Sequence, residues 1–212
     1  QLRPAGQGVL RPVPGGTVVD NLTLFRGVWH DVVSGHAPDG SELEYDEHGG
    51  TPGALPYEQL VYVDVRDDDG ATRYEQTNVV LRGRDPHARS FGGTVVDGVL
   101  QFDRLGPEAP LMLGVSGGPG VLVFTPARVD GPDMGRFFDP DWIRHLGGDQ
   151  RTRTTTLYRG GGIRRVLTVR GTRISPDPTR RVAHDPRGTD GPVHDGGRTT
   201  TVYTQVSPQE DS

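Results

Sequence analysis

The sequence predicts an all-β protein, an antiparallel up-and-down β-barrel of about 8–10 strands with one short helix. Two observations carry this prediction. The chain of 212 residues contains 32 glycines and 18 prolines, and so many turn-forming residues suit short strands better than long helices. Short apolar segments are also separated by turn signals at regular intervals, so neighbouring strands are expected to join as hairpins.

Four hairpins are predicted in sequence order. The turn "DDDG" at 67–70 joins the strands of the first, and Asp97-Gly98 in the second is typical of a type I′ turn. The other two hairpins lie at 111–126 and 151–175. Such a chain forms either a sandwich or an up-and-down barrel, and successive hairpins favour the barrel.

The rest of the chain is assigned by composition. We expect an extended arm at 1–20, the barrel at 21–175, and a Gly/Pro-rich excursion at 176–212 with a final strand within 199–207. The short helix is predicted at 139–148, where Asp139 can cap it and the Gly147-Gly148 pair ends it.

Composition excludes several classes of function. The chain has no cysteine and a net charge of −5, and all 23 basic residues are arginine, as in proteins from GC-rich bacterial genomes. Disulfides and thiolate chemistry are excluded, and the acidic balance argues against nucleic acid as the partner. No apolar run approaches the ~20 residues of a membrane span and no signal-like segment is present, so a cytoplasmic location is expected. The histidine spacing matches no metal signature, and no cofactor motif occurs.

Register predicts which side chains of the first hairpin face the barrel interior. A turn at 67–70 places three valines and three polar side chains on one face. The opposite face carries charged residues, which are typical of a solvated surface. The expected inner face consists of Val61, Val63, Val65, Tyr74, Gln76 and Asn78.

The segment 151–175 carries seven arginines and no acidic residue. Pairing its strands across the glycine turn places Arg153 opposite Thr168 and Arg151 opposite Arg170. Unpaired guanidinium groups inside a cavity cost several kcal/mol each. We therefore expect most of the arginines to face solvent and the opposite face to point inward. The expected inner face consists of Thr152, Thr154, Thr156, Tyr158, Ile163, Leu167 and Val169, with Arg165 as its single charge.

Two motifs give the chain a resemblance to a known superfamily. Gly27-x-Trp29 in "FRGVW" opens the first strand, and the arginine-rich hairpin "RTRTTTLYRGGGIRRVLTVRGTRI" comes late. Together they resemble the lipocalin-like, or calycin, superfamily over about 22–175, and most closely the bacterial lipocalin-like domains related to phycobilin lyases. By this resemblance Trp29 packs at the closed end of the barrel, and Arg151 or Arg153 lies over its ring in a cation–π contact.

The resemblance implies a function in binding small, largely hydrophobic molecules. Some lipocalin-like proteins are natural-product cyclases, so one hypothesis is a cofactor-independent cyclase or isomerase, Diels–Alderase-like, in bacterial natural-product biosynthesis. The alternative is a carrier that binds such a polyketide-like molecule unchanged. A structural domain with a filled barrel is a third alternative.

Candidate site residues follow from the expected inner face. For a catalyst, Tyr74 and Asn78 would orient a carbonyl through hydrogen bonds. Phe137, Phe138 and Trp142 are expected at the mouth or as a lid. The expected ligand contacts are Trp29, Val61, Val63, Val65, Gln76, Phe137, Phe138, Trp142, Arg153, Tyr158 and Leu167.

Overall fold

The computed structural model describes residues 16–46, 53–104, 111–127, 140–159, 162–194 and 200–202. It contains one helix, α1 (Val18–Phe25), and fourteen strands within these ranges. The strands are β1 (Gly27–His36), β2 (Glu42–Leu43), β3 (Tyr45–Asp46), β4 (Gly53–Ala54), β5 (Tyr57–Asp68), β6 (Ala71–Arg82), β7 (His87–Val96), β8 (Val99–Phe102), β9 (Met112–Gly118), β10 (Val121–Pro126), β11 (Asp141–Gly147), β12 (Gln150–Arg159), β13 (Gly162–Ser175) and β14 (Thr200–Val202).

Ten of these strands form a closed antiparallel barrel. From β5 to β13 each strand pairs with the next along the chain. The first strand, β1, pairs with β5 on one side and with β13 on the other, which closes the sheet. The predicted all-β class, the up-and-down barrel and the single short helix are confirmed, and the sandwich is excluded.

Helix α1 covers one end of the barrel. Thr17 caps it, because its hydroxyl accepts from the Asp20 backbone N–H and the Asp20 carboxylate accepts from Thr17 in return. Leu22 and Phe25 are buried against the barrel core. The Asn21 side chain donates to the backbone oxygens of Gly118 and Val121, both at 2.9 Å, and so ties the helix to the β9–β10 turn.

The position of the helix differs from the prediction. Residues 18–20 belong to α1, although they were expected in the extended arm. The segment expected to be helical forms strand β11, which pairs with β10 and β12. On this strand Ile143 is buried, whereas Trp142 and Leu146 are 48% and 56% exposed. Hydrogen bonding to two neighbouring strands outweighed the local helix signals of this segment. The predicted cap, Asp139, lies outside the described residues.

The register predicted for the β5–β6 hairpin is confirmed. Val61 pairs with Asn78, Val63 with Gln76, and Val65 with Tyr74. These six side chains share one face of the hairpin, and Val61, Val63, Tyr74 and Gln76 are almost wholly buried.

The register predicted for the arginine-rich hairpin is wrong. Tyr158 pairs with Ile163 as the turn requires, but an irregularity between Leu157 and Tyr158 shifts the register by one residue. Arg153 consequently pairs with Val169. Because a shift of one residue exchanges the two faces of one strand relative to its neighbour, Arg153 and Thr155 point inward with Leu167 and Val169. Tyr158 lies on the outer side, as do Thr154 and Thr156.

Residues 176–194 form a segment without helix or strand that we call the outer strap. It packs on the outside of the barrel through Val182 and Val193. The Tyr62 hydroxyl donates to Asp185 Oδ2 at 2.8 Å and accepts from the Val182 backbone N–H at 3.1 Å. The strap thus covers an apolar outer patch made of Val28, Leu60, Tyr62, Val79 and Ala88.

Beyond the strap, β14 pairs with β7, within the range expected for a final strand. In the described part of the chain, no helix is both long enough and apolar enough to cross a membrane.

Candidate functional site

The end of the barrel beside α1 is filled by side chains. Val61, Val63 and Tyr74 pack there against Leu22 and Phe25 in one buried cluster. The Tyr74 hydroxyl donates to Gln76 Oε1, and Gln76 Nε2 donates to Asn78 Oδ1 at 2.7 Å. Burial raises the pKa of Tyr74, so the phenol stays protonated. This end of the barrel forms a core.

Trp29 lies in the same core and is fully buried. Its Nε1–H donates to the Phe25 carbonyl at 2.7 Å. The Arg151 guanidinium lies 4.5 Å from the ring centroid, and that of Arg173 lies 5.0 Å from it. The cation–π contact expected from the resemblance is confirmed for Arg151.

Arg151 reaches this position because it forms a buried ion pair. Its Nε and Nη2 donate to the two carboxylate oxygens of Asp31 at 3.2 and 2.7 Å. Gly171, opposite Arg151 on β13, makes room for the pair, since a Cβ there would lie 2.3 Å from Asp31 Oδ1. The Asp31 carboxylate thus offsets the desolvation cost of the buried Arg151 guanidinium.

A cavity of about 170 Å³ lies farther along the strands, on the side of the core away from α1. Its apolar wall consists of four aliphatic side chains, and the remaining wall is polar and rich in arginine. The lining residues are Val33, Asp46, Tyr57, Gln59, Asn78, Val80, Arg84, His87, Arg89, Arg153, Thr155, Arg165, Leu167 and Val169.

Arg153 enters the cavity from β12. Its Nη2 pairs with Asp141 Oδ2, and Asp141 also accepts from the Thr155 hydroxyl. Its Nε is buried and has no hydrogen-bond acceptor within the described residues. Burial acts to lower the pKa of Arg153, but the Asp141 carboxylate outweighs it and raises that pKa above its ordinary value. Arg153 is therefore a fixed cation with an unused donor at Nε.

Asp46 holds two further arginines on another side of the cavity. Arg165 Nε lies 2.8 Å from Asp46 Oδ1, and Arg84 Nη2 lies 3.4 Å from Oδ2. The Arg84 guanidinium also lies 4.0 Å from the centroid of the Tyr57 ring. Burial raises the pKa of Tyr57, so its hydroxyl is a neutral donor. On this side of the cavity, both Arg84 and Arg165 thus have a carboxylate partner.

Arg89 enters the cavity from β7, opposite Asn78 on β6. It is half-buried, and none of the described residues forms an ion pair with its side chain. His87 lies two residues away on the same face, and its Nδ1 is 2.8 Å from the Asp85 carbonyl. The cavity thus contains a guanidinium without a carboxylate partner, which is suited to receive an anion.

The predicted site residues separate into four groups. Asn78, Arg153 and Leu167 line the cavity. Trp29, Val61, Val63, Val65, Tyr74 and Gln76 lie in or against the core. Trp142 and Tyr158 lie on the outer side, because β11 is a strand and because β12 is shifted by one residue. Phe137 and Phe138 lie outside the described residues.

The sequence-based site omitted most of the arginines and His87. The alternation of His87, Arg89 and Phe91 along β7 is the signal that could have identified the first two as inward-facing. Phe91 packs against the core, which fixes the face on which His87 and Arg89 lie. Among the described residues, no three His, Asp or Glu side chains group as metal ligands.

A closed barrel of ten antiparallel strands with an internal cavity is consistent with a lipocalin-like, or calycin, fold. One similar solved structure is the crystal structure of a protein with unknown function from the DUF3598 family of Nostoc punctiforme. The TM-score is 0.53 with 19% sequence identity, over 80% of this chain and 53% of the Nostoc chain. This chain thus spans about half the length of that protein, and the likeness establishes the fold.

No protein-family model matches the chain, and no curated protein matches it. The structural comparison shows no link to phycobilin lyases.

Proposed function

We propose that the protein binds a small organic molecule, about the size of one benzene ring, in the cavity of its barrel. The carrying observation is a pocket of about 170 Å³, partly open to solvent, with one aliphatic wall and one polar wall. An engineered protein cavity of about 150 Å³ binds benzene, so this volume suits one ring. The aliphatic wall would contact the hydrophobic part of the ligand, as expected for a hydrophobic molecule. The polar groups of the other wall would fix the orientation of the ligand.

The volume also bears on the cyclase hypothesis. Pockets for drug-sized ligands enclose about 300–1,000 Å³, and a folded polyene is larger than the 170 Å³ present here. We therefore propose binding of a smaller molecule. Ring formation stays a prediction from the sequence, and an isomer of unchanged mass formed from a short linear diene would support it.

A pair of neighbouring valines tests the proposal. Val33 is buried and lines the cavity, whereas Val32 is 38% exposed on the outer face of the same strand. A Phe at 33 would occupy the volume that the ligand needs, whereas a Phe at 32 would point to solvent. The proteins are compared by ligand-observed NMR with toluene, phenol, benzamide and benzoate.

We expect at least one of these molecules to bind the wild type and Val32→Phe, and to lose binding in Val33→Phe. Thermal unfolding verifies that both variants fold. Val169→Leu, which fills less of the cavity, serves as a second variant if Val33→Phe does not fold. Absence of binding by all four molecules, or equal binding by the folded cavity variant, would contradict the proposal.

A further inference from the structure

We propose that the ligand carries a carboxylate and that Arg89 and Arg153 bind it. This inference rests on the proposed function and adds the chemical class of the ligand. It follows from the donors that the cavity leaves unused and from the apolar wall beside them.

The first unused donor is Arg153 Nε, which is buried and has no acceptor among the described residues. A buried donor left without a partner costs about 1–3 kcal/mol, and more when the group is charged. Asp141 holds the other end of the guanidinium, so its orientation is fixed before a ligand arrives. Because Nε is not exposed to the cavity, a small shift of neighbouring side chains would be needed before a carboxylate oxygen could reach and satisfy this donor.

The second donor group is the whole Arg89 guanidinium. Arg165 and Arg84 share Asp46, and Arg153 pairs with Asp141, but the described residues supply no carboxylate to Arg89. Half-burial weakens the solvation of its charge. An arginine offers parallel N–H donors that match the two oxygens of a carboxylate.

The apolar wall makes an organic anion a better fit than inorganic phosphate. Val33, Val80, Leu167 and Val169 line the same cavity as the two arginines. A free phosphate would leave these side chains without contact, whereas an aromatic or branched carboxylate covers them while its charged group reaches the donors. A ring-sized carboxylate also fits the available volume.

The test is isothermal titration calorimetry with benzoate, benzamide and inorganic phosphate. Benzamide has the shape of benzoate without its charge, and phosphate has the charge without the ring. The proteins are the wild type, Arg89→Gln and the control Arg170→Gln. Arg89 forms no ion pair with any described residue, so its substitution leaves none of their carboxylates unpaired. Arg170 is exposed on the outer face of β13.

We expect benzoate to bind the wild type and Arg170→Gln equally and to bind Arg89→Gln at least about tenfold more weakly, since a charged hydrogen bond contributes about 1.5–3 kcal/mol. Benzamide should bind all three proteins about equally and more weakly than benzoate. Arg153→Gln, used only if it folds, should weaken benzoate in the same way.

Equal affinity for benzamide and benzoate would overturn the carboxylate inference and leave the proposed function intact. Phosphate binding as tight as that of benzoate would overturn the requirement for an organic ligand. Failure of both ring compounds to bind would contradict this inference, and the proposed function would then depend on the neutral molecules of the valine test.

Discussion

Three inward-facing arginines are kept inside the barrel by aspartates from other parts of the chain. Arg151 pairs with Asp31, Arg153 with Asp141, and Arg165 with Asp46. In each pair, the charged hydrogen bond to the carboxylate offsets the free-energy cost of burying the guanidinium. Arg151 and Arg153 therefore face inward, contrary to the expectation from the sequence, whereas Arg165 was already expected on the inner face.

The Arg151–Asp31 pair should contribute strongly to stability. Both side chains are less than a tenth exposed, at 7% and 2%, and removal of one partner from a buried pair costs about 3–5 kcal/mol. We expect Asp31→Asn to lower the free energy of unfolding by about this amount, measured by urea denaturation.

Asp149 provides the control, because its carboxylate pairs with Arg173 at 3.1 Å but is 68% exposed. An exposed pair contributes about 0–1 kcal/mol, so Asp149→Asn should change stability little. Equal effects of the two substitutions would show that the Asp31 pair is solvated and that β12 does not have the described register.

The acidic partners could not be predicted from the arginine-rich segment itself. Asp31 and Asp46 precede Arg151 by more than a hundred residues, and only strand order and register bring them together. The single irregularity between Leu157 and Tyr158 decided which face carries the arginines. Glycine turns fix the spacing at a hairpin tip, but a bulge farther along the strands leaves little signal in one sequence.

At the scale of elements, the outer strap depends on a histidine that is buried in its neutral form. His194 Nδ1 is 2.9 Å from the Thr77 hydroxyl, and its Nε2 is buried without a hydrogen-bond partner in the described residues. Burial lowers the pKa of His194 below 6.5, although the Glu75 and Asp64 carboxylates oppose the change. Protonation is therefore unfavourable while the strap is docked.

The sign of the pH dependence follows from this lowered pKa. The stabilisation of the docked strap is complete above the pKa of a free histidine, about 6.5, and is lost as pH falls through the lower pKa of the docked state. We expect backbone amides of 176–194 to exchange faster at about pH 5.5 than at about pH 7.5, after correction for intrinsic rates. Hydrogen–deuterium exchange with mass spectrometry measures this difference.

Two histidines of the same strap give the controls. His194→Asn should abolish the pH dependence, whereas His184→Asn should retain it, because His184 is exposed. Strap amides that exchange alike at both pH values in the wild type would contradict the account, as would an undiminished dependence in His194→Asn.

The elements themselves were predictable to different degrees. The β5–β6 register followed from one short turn and strict alternation, and no irregularity separates Val61 from Tyr74. Helix α1 was missed although Thr17 and Asp20 form a capping box and Val18, Leu22 and Phe25 have helical spacing. The glycines and prolines before residue 17 obscured this signal, and the helix is held mainly by packing on the barrel.

At the scale of the whole molecule, the succession of hairpins was sufficient to predict the barrel. The sequence does not show which part of the barrel interior is filled and which part is open, because that depends on how side chains from ten strands pack together. Tyr74 and the valines of β5 were expected around a ligand, but they pack in the core beside α1. The open part lies where Asn78, Arg89 and Arg153 face one cavity.

The central claim is that this cavity is the ligand site, and a crystal structure with 4-bromobenzoate tests it most directly. Bromine gives an anomalous signal that locates the ring without prior assumption. We predict a bromine peak beside Val33 and Val169, with the carboxylate in contact with Arg89 and Arg153. A cavity without the ligand, with bromine only on the outer surface, would contradict the account.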